Sequence, residues 1–503
     1  MKESITGSII EVLAGGGYLL PELVMCACLL IIPLSGLVAK NKQKSIVIAI
    51  YLAALCLSMY YTVLQLQYFY EQNQAIYFFG KMLFINEQNV FLKILFKFCG
   101  LFALLLTEYN SYTRKFTSVH FEYYMLILAV ILGSNLMVMS SDFFMAFISL
   151  EMISVCSYIL VAVVNNKKTA EASAKYLIFG MFSSAIMLYG ISLSYGITGA
   201  FTFYDNQYFE AFASVSAIAR LAVLVMLLSG IMFKTSIFPF HIWTPDVYEA
   251  TPAPLIAFFS TITKIAGFGL LVNILMYFAE VEIVLWGKVL NSHIIIGILA
   301  VVTTTWANMA AFFQTNVKRM LGYSAIAQSG FILMPFCLLS EFALDTFYFY
   351  VATYIIMSFG IFYLTDRIMD SAKSESFDVF RGVGIKYPIW GIFLIIILIS
   401  LTGLPPTVGF TGKFLIFSSL WEDYQTTGER IFLVVLLAAA ANTVLSLFYY
   451  VKIPYYMFFK PMSEVHVSIK NHTYVAGAVF AIIITGLFFY PTPLIDFIKN
   501  IMD

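Results

Sequence analysis

Charge is scarce in this chain. Asp, Glu, Lys and Arg make up 11% of its 503 residues and hydrophobic residues 61%, whereas soluble globular proteins carry roughly 25% charged residues. The shortage excludes a string of soluble domains and leaves a polytopic membrane protein. Cysteine is sparse too. Cys26, Cys28, Cys56, Cys99, Cys156 and Cys337 all lie in apolar stretches, without the C-x-x-C spacing of zinc or iron–sulfur sites. They read as packing residues, and no redox centre is visible in the sequence. With 28 basic and 28 acidic residues the formal net charge is zero, so nothing points to a nucleic-acid partner. The opening MKESITGSIIEVLAGGG lacks both a basic-then-apolar signal pattern and a transit peptide's arginines, and is read as mature chain.

What the chain has is apolar length. Runs recur at 18–38, 45–66, 91–108, 121–139, 143–164, 172–198, 213–238, 253–278, 293–313, 321–340, 346–365, 388–420, 430–451 and 474–495. Each can cross a hydrocarbon core of about 30 Å at 1.5 Å per residue. The expectation is an all-α polytopic fold of about 14 transmembrane helices, a single transmembrane domain over 1–503. Loops after odd-numbered runs hold 17 basic residues, from Lys40 to Lys470. The other side, with the helix ends facing it, holds eight: Lys2, Lys81, Lys93, Lys97, Arg220, Lys288, Arg430 and Lys499. The positive-inside rule then puts both termini on the non-cytoplasmic side.

Three cations remain inside the runs, Lys234, Lys264 and Lys413. Each costs about 2.5–3.5 kcal/mol near the bilayer centre. Glu151, nine residues past Asp142, sits about 13 Å along its helix at the same rise. Arginine would stay charged there, whereas a desolvated lysine can load and release a proton. The set has the chemistry of a proton relay; snorkelling to an interface is the plainer alternative for any one lysine.

Two runs are interrupted. Lys234 precedes Pro239 in FKTSIFPFHIW, and 388–420 contains LTGLPPTVGFTGKF, with Gly403, Pro405, Pro406, Gly409 and Gly412. Irregular backbone at that depth is tolerated only within protein or beside water. The broken runs are the seventh and the twelfth, five apart. That spacing suggests two inverted five-helix repeats, runs 4–8 (121–278) and 9–13 (293–451), flanked by 1–108 and 474–503. Two unrelated proline kinks are the alternative. His241 follows the first break as a possible relay group or a plain loop histidine. Ser324 with Gln328, and Tyr350 with Tyr354, share helix faces on which they could order water between Lys264 and Lys413, or simply bond to neighbours.

The stretch LLSGIMFKTSIFPFHIWTPDVYEATPAPLIAFFSTITKIAGF at 227–268 resembles the antiporter-like membrane subunits of proton-pumping NADH:quinone oxidoreductase, respiratory complex I. FHIWTPDVYEATPAP is similar to the subunit N branch. LLPEL at 19–23, SLEMISVCSYIL, NVKRMLGYSAIAQSGFIL and LTGLPPTVGFTGKF also fit. The resemblance implies that Glu151, Lys234, Lys264 and Lys413 are the proton-carrying set, with Glu22 structural. Gln328 departs from the histidine common in relatives, leaving that segment to Lys264 and water. The resemblance further implies a translocase subunit of the respiratory electron-transport chain that holds no cofactor. NAD, FMN, iron–sulfur clusters and quinone would lie in partner subunits, with subunits M and K as neighbours, in lipid of a bacterial inner membrane. Rival readings are a monovalent cation/proton antiporter subunit, a membrane-bound hydrogenase subunit, a solute carrier and a purely structural subunit.

Overall fold

The computed structural model describes all residues except 1–14, 39–42, 73, 118–120, 164–165, 205, 279–282, 286–287, 291, 339, 463–468 and 503. The reading of the first fourteen residues, and the placement of Lys2, Lys40 and Lys42, lie outside the described residues. Among the described residues the long apolar runs are helical, because lipid cannot satisfy peptide groups and each helix must do so internally. The short apolar segments Ile76–Phe78 with Leu83–Ile85, and Ile283–Leu285 with Lys288–Leu290, pair as antiparallel hairpins. Short polar side chains set the starts: Asn86, Asp142, Asn166, Asn316 and Ser340 each accept a hydrogen bond from the backbone N–H three residues on.

Among the described residues, 11 helices are long and apolar enough to cross a membrane, or 12 if the bent pair Thr473–Phe489 and Thr492–Ile501 forms one span. The expectation was fourteen. The difference lies in Glu122–Val138, which has only 17 residues, and in 388–420, which is two helices, Pro388–Thr402 and Val408–Thr427. Loops after odd-numbered runs gather at one end. There Lys44 donates to the Arg114 carbonyl, and Lys452 to the carbonyls of Phe312 and Gln314. Loops after even-numbered runs meet at the other end, where Ser141 donates to the Lys81 carbonyl and His293 pairs with Glu429. Ala253–Met276, which carries Lys264, is enclosed on all sides, and Val317–Cys337 and Glu341–Ala372 nearly so; Gly17–Ser35 and Arg430–Phe459 are peripheral.

The first break starts one turn before its proline. Ala217–Thr235 ends where Ser236 turns left-handed at φ 59°, and the chain resumes as Trp243–Ala250. At the second, Gly403 takes φ 89° and the next helix starts at Val408. Gly409 is required by close approach, since a Cβ there would lie 1.8 Å from the Ser400 carbonyl oxygen. Gly409→Ala should therefore push the half-helices apart and destabilise the chain by roughly 1–3 kcal/mol, the usual range for overpacking. The check is a lower melting temperature and less assembled protein than wild type.

Candidate functional site

Lys234 lies one residue before the end of its helix and is fully buried. Its Nζ donates to Ser154 Oγ at 3.2 Å and to the Tyr176 hydroxyl at 3.3 Å, and faces the rings of Tyr158 and Tyr176. Tyr176 stacks on Trp243 at 4.2 Å. The Trp243 Nε1–H in turn donates to the Phe233 carbonyl, so the indole adds a second donor to a helix-end carbonyl that the Ser236 N–H already reaches. Glu151, one turn before Ser154, is half-buried, and one of its oxygens has no hydrogen-bond partner among the described residues. It reaches Lys234 through space; the described ion pairs do not join the two.

Lys264 follows a π-helical turn, Phe259–Thr263, a distortion that recurs at functional sites. Its Nζ donates to the Ala325 carbonyl at 2.8 Å and to Ser329 Oγ at 3.0 Å. One residue away Gln328 donates from Nε2 to the Leu401 carbonyl at 3.0 Å and accepts from the Tyr350 hydroxyl at 2.5 Å. Lys413 Nζ donates to the Thr402 carbonyl at 2.8 Å and to the same Leu401 carbonyl at 3.4 Å, with the Phe331 ring 4.0 Å away. Ser324 pairs with the Tyr450 hydroxyl, and Tyr354 reaches Ser358 and Ser260. Gln328 therefore stands as a bridge between the Lys264 and Lys413 environments, on the helix face expected of it. All three lysines meet only neutral acceptors in these hydrogen bonds.

Among the described residues no hydrogen bond joins Lys234 to Lys264, and the two helices meet where Gly267 packs against Thr235 and Lys234. His241 is buried in the first break between Phe238 and Trp306, with Nδ1 unpartnered among the described residues. The charge of Lys264 reaches it through space, but the described hydrogen bonds do not tie it to any of the lysines.

Two assignments need correction. Lys93 and Lys97, counted as helix ends, are 0% and 1% exposed inside the helix Glu87–Tyr109. Starting the run at residue 91 hid them, because the helix really begins at Glu87 under the Asn86 cap. The signal was Lys-x-x-x-Lys in FLKILFKF, two cations on one helical face. Among the cysteines, Cys28, Cys99 and Cys337 are packed inside, but Cys26 and Cys56 face outward. No group of three His, Cys, Asp or Glu side chains suited to a metal occurs among the described residues.

The end that carries the odd-numbered loops has a charged network. Lys175 pairs with Asp246 at 3.1 Å and Arg319 with Asp246 at 2.6 Å and Glu249 at 2.9 Å. Lys168 joins Glu249 and Glu375, and Lys318 pairs with Glu375 at 2.8 Å. Several of these residues line a cavity of about 770 Å³ that also includes Asp366, Asp370 and Lys373. Partial burial pushes the Asp246 carboxyl up, but hydrogen bonds and charge from Arg319 and Lys175 outweigh it and hold the group below its ordinary value. Glu375 is held low in the same way, by Lys318, Asn316 and Lys168 against burial.

Comparison with known proteins decides the family. The NADH:quinone oxidoreductase/Mrp antiporter, TM family matches residues 140–485. NADH-quinone oxidoreductase subunit N of Chlorobium chlorochromatii (strain CaD3) is 33% identical, over 98% of this chain and 96% of its own. The chain belongs to the subunit N family of NADH-quinone oxidoreductase. The Bacillus anthracis subunit N is 38% identical over 67% of each chain. The fold is shared with a chain of Thermus thermophilus respiratory complex I, at 22% identity and TM-score 0.74 over 95% of this chain and 98% of that one. It is also shared with a chain of an archaeal membrane-bound sulfane sulfur reductase, at 23% identity and TM-score 0.82 over 97% and 96%.

The depressed Asp246 carboxyl gives a pH test. A group held low in the folded state adds stability above its unfolded value, about 3.9, and loses it as pH falls through the folded value. Asp246→Asn should lower the melting temperature at neutral pH, with the gap to wild type closing below about pH 4. A melting series across that range is the measurement.

Proposed function

We propose that this chain is a proton-translocating subunit of a respiratory NADH:quinone oxidoreductase, working as its antiporter-like subunit N. The observation that carries the reading is the placement of Lys234, Lys264 and Lys413 in the interior, each hydrogen-bonded to neutral acceptors only. An ammonium without a counter-ion in such surroundings is costly, and giving up its proton relieves that cost. The same acceptors can hold the amine in place through the cycle.

In this reading protons enter from the cytoplasm at the charged cavity, reach Lys234 and Lys264, pass the Gln328–Leu401 bridge to Lys413 and leave on the far side. Gln328 cannot carry a proton; its amide holds the geometry while Lys264 and Lys413 exchange. Glu151 favours the charged form of Lys234 when near and, with an unpartnered oxygen, is free to respond to a neighbouring subunit. Quinone reduction elsewhere drives the cycle. NAD, FMN, iron–sulfur clusters and quinone belong to partner subunits, with subunits M and K as the adjacent membrane chains. The two inverted repeats, 121–278 and 293–451, would place one broken helix in each half, with both termini on the non-cytoplasmic side of a bacterial inner membrane. The subunit N relatives favour this reading over a free-standing cation/proton antiporter.

Lys264→Ala should cut proton pumping by at least about ten-fold, the scale of losing a proton-transfer group. Glu151→Ala should weaken it less, because that carboxylate acts at a distance. Both variants should stay inserted and assembled. Pumping is read from pH-dye quenching in membrane vesicles, and normal pumping by an assembled Lys264→Ala complex would falsify the relay.

A further inference from the structure

A second charged group lies outside the lysine line, among the four N-terminal membrane helices. Lys93 Nζ pairs with Glu22 Oε1 at 2.9 Å and donates to Gln65 Oε1 at 3.0 Å. Asn135 Nδ2 donates to the same Glu22 oxygen at 2.9 Å. One turn on, Lys97 Nζ donates at 3.0 Å to the backbone carbonyl of Lys93. The members come from four helices, Leu20–Val38, Gln43–Gln72, Glu87–Tyr109 and Glu122–Val138. All are buried, Glu22 at 3%, Gln65 at 9% and Asn135 at 0% exposure.

The charges do not balance. Two amines face one carboxylate, and Lys93 takes that carboxylate in the one ion pair described here. Lys97 is left with a carbonyl of its own helix. Around it, Tyr51 gives its hydroxyl to the Gly100 carbonyl, and Cys99 turns to Thr261 on the Lys264 helix; neither offers negative charge. A second buried ammonium next to Lys93 is therefore opposed by desolvation and like-charge repulsion, against which stands only the charge of Glu22, already engaged by Lys93. Yet the cluster around the Glu22–Lys93 pair retains unused acceptors. Glu22 Oε2 and Asn135 Oδ1 are buried without hydrogen-bond partners among the described residues. An amine that must share one carboxylate with a second amine, in a cluster with two spare acceptors, is suited to holding a proton part of the time.

The cluster also has a way out. Gln65, bonded to Lys93, lines a surface groove of about 220 Å³ with Tyr18, Tyr61, Tyr68 and Phe69, and its Nε2 is tied to the Tyr18 carbonyl at 2.6 Å. The groove lies at the end where the even-numbered loops gather. Lys93 and Lys97 are six and ten residues into their helix, roughly 9 and 15 Å at helical rise. The order from groove to interior is Gln65, Lys93, Lys97.

We propose that Glu22, Lys93 and Lys97 form a proton-binding site separate from the lysine line, in which Lys97 gains and loses the proton and the Glu22–Lys93 pair holds it in place. The exchange is ammonium to amine plus H⁺, released to water at the groove beside Gln65, with no other bond made or broken. The site faces the proposed exit side, so it rests on the translocation reading above and adds to it a proton-holding group on the outer half of the flanking helices.

The test uses the assembled complex in membrane vesicles, scored for assembly, quinone reduction and protons moved per NADH oxidised. Lys97→Met, which keeps the apolar stem, should assemble at the wild-type level and move fewer protons per NADH. Lys97→Arg, which stays charged, should also move fewer, and should assemble less well because the second cation is then permanent. Glu22→Gln should impair assembly by leaving Lys93 unpaired, and Glu22→Gln with Lys93→Gln should restore it. Wild-type pumping by Lys97→Met overturns the proposal; so does failure of Lys97→Met to assemble, or full rescue by Lys97→Arg, since each means that a fixed positive charge is what the fold needs. Lys264→Met is run alongside. If it pumps normally the relay reading falls whatever Lys97 does, and if it fails while Lys97→Met pumps normally only the present inference falls.

Discussion

A helix that stops inside an apolar layer leaves its last carbonyls without N–H partners, and much of this structure follows from how those carbonyls are used. At the end of Pro388–Thr402 the carbonyls of Leu401 and Thr402 turn to Lys413, and Leu401 also receives Gln328. The partial negative charge at a helix C-terminus suits an ammonium there. At the end of Ala217–Thr235 the solution differs, because the Trp243 indole takes a carbonyl and Lys234 turns to hydroxyls from two other helices. Both breaks leave a lysine buried and held by neutral groups, with no carboxylate in hydrogen-bond contact among the described residues.

The same logic separates these lysines from the charges at the surface. Asp246, Glu249 and Glu375 meet Lys168, Lys175, Lys318 and Arg319 in direct pairs, and two of the carboxyls are held low by them. Paired charges of this kind fasten loops and keep their protons off. In the interior, by contrast, Lys234, Lys264 and Lys413 have no carboxylate in direct contact among the described residues, which is what the proposed exchange of protons requires.

The helical membrane fold, both breaks and the burial of Lys234, Lys264 and Lys413 were legible because scarcity of charge in an apolar chain makes each internal cation conspicuous. Gln328 and Tyr350 were legible as well, since i, i+4 spacing fixes a shared face. The hydroxyls that hold Lys234 were not, because Ser154 and Tyr176 come from helices whose packing no local pattern encodes. Lys93 and Lys97 were missed for another reason. Near a run boundary, a buried lysine and a snorkelling one look alike, and only the Asn86 cap shows that the helix starts four residues earlier. Glu22 was read as structural in isolation; its meaning depends on two lysines some seventy residues away.

The Lys168–Glu375 contact spans 207 residues of chain, and beside it Lys318 reaches back to the Thr251 carbonyl and Arg319 to Asp246 and Glu249. During synthesis the first half must therefore enter the bilayer with its loop cations and carboxylates only partly matched, and they are satisfied when the later segment emerges. Maturation of the charged face is thus a late event in the life of the nascent polypeptide, and a chain truncated before residue 375 would present to quality-control proteases a surface that the finished subunit never shows.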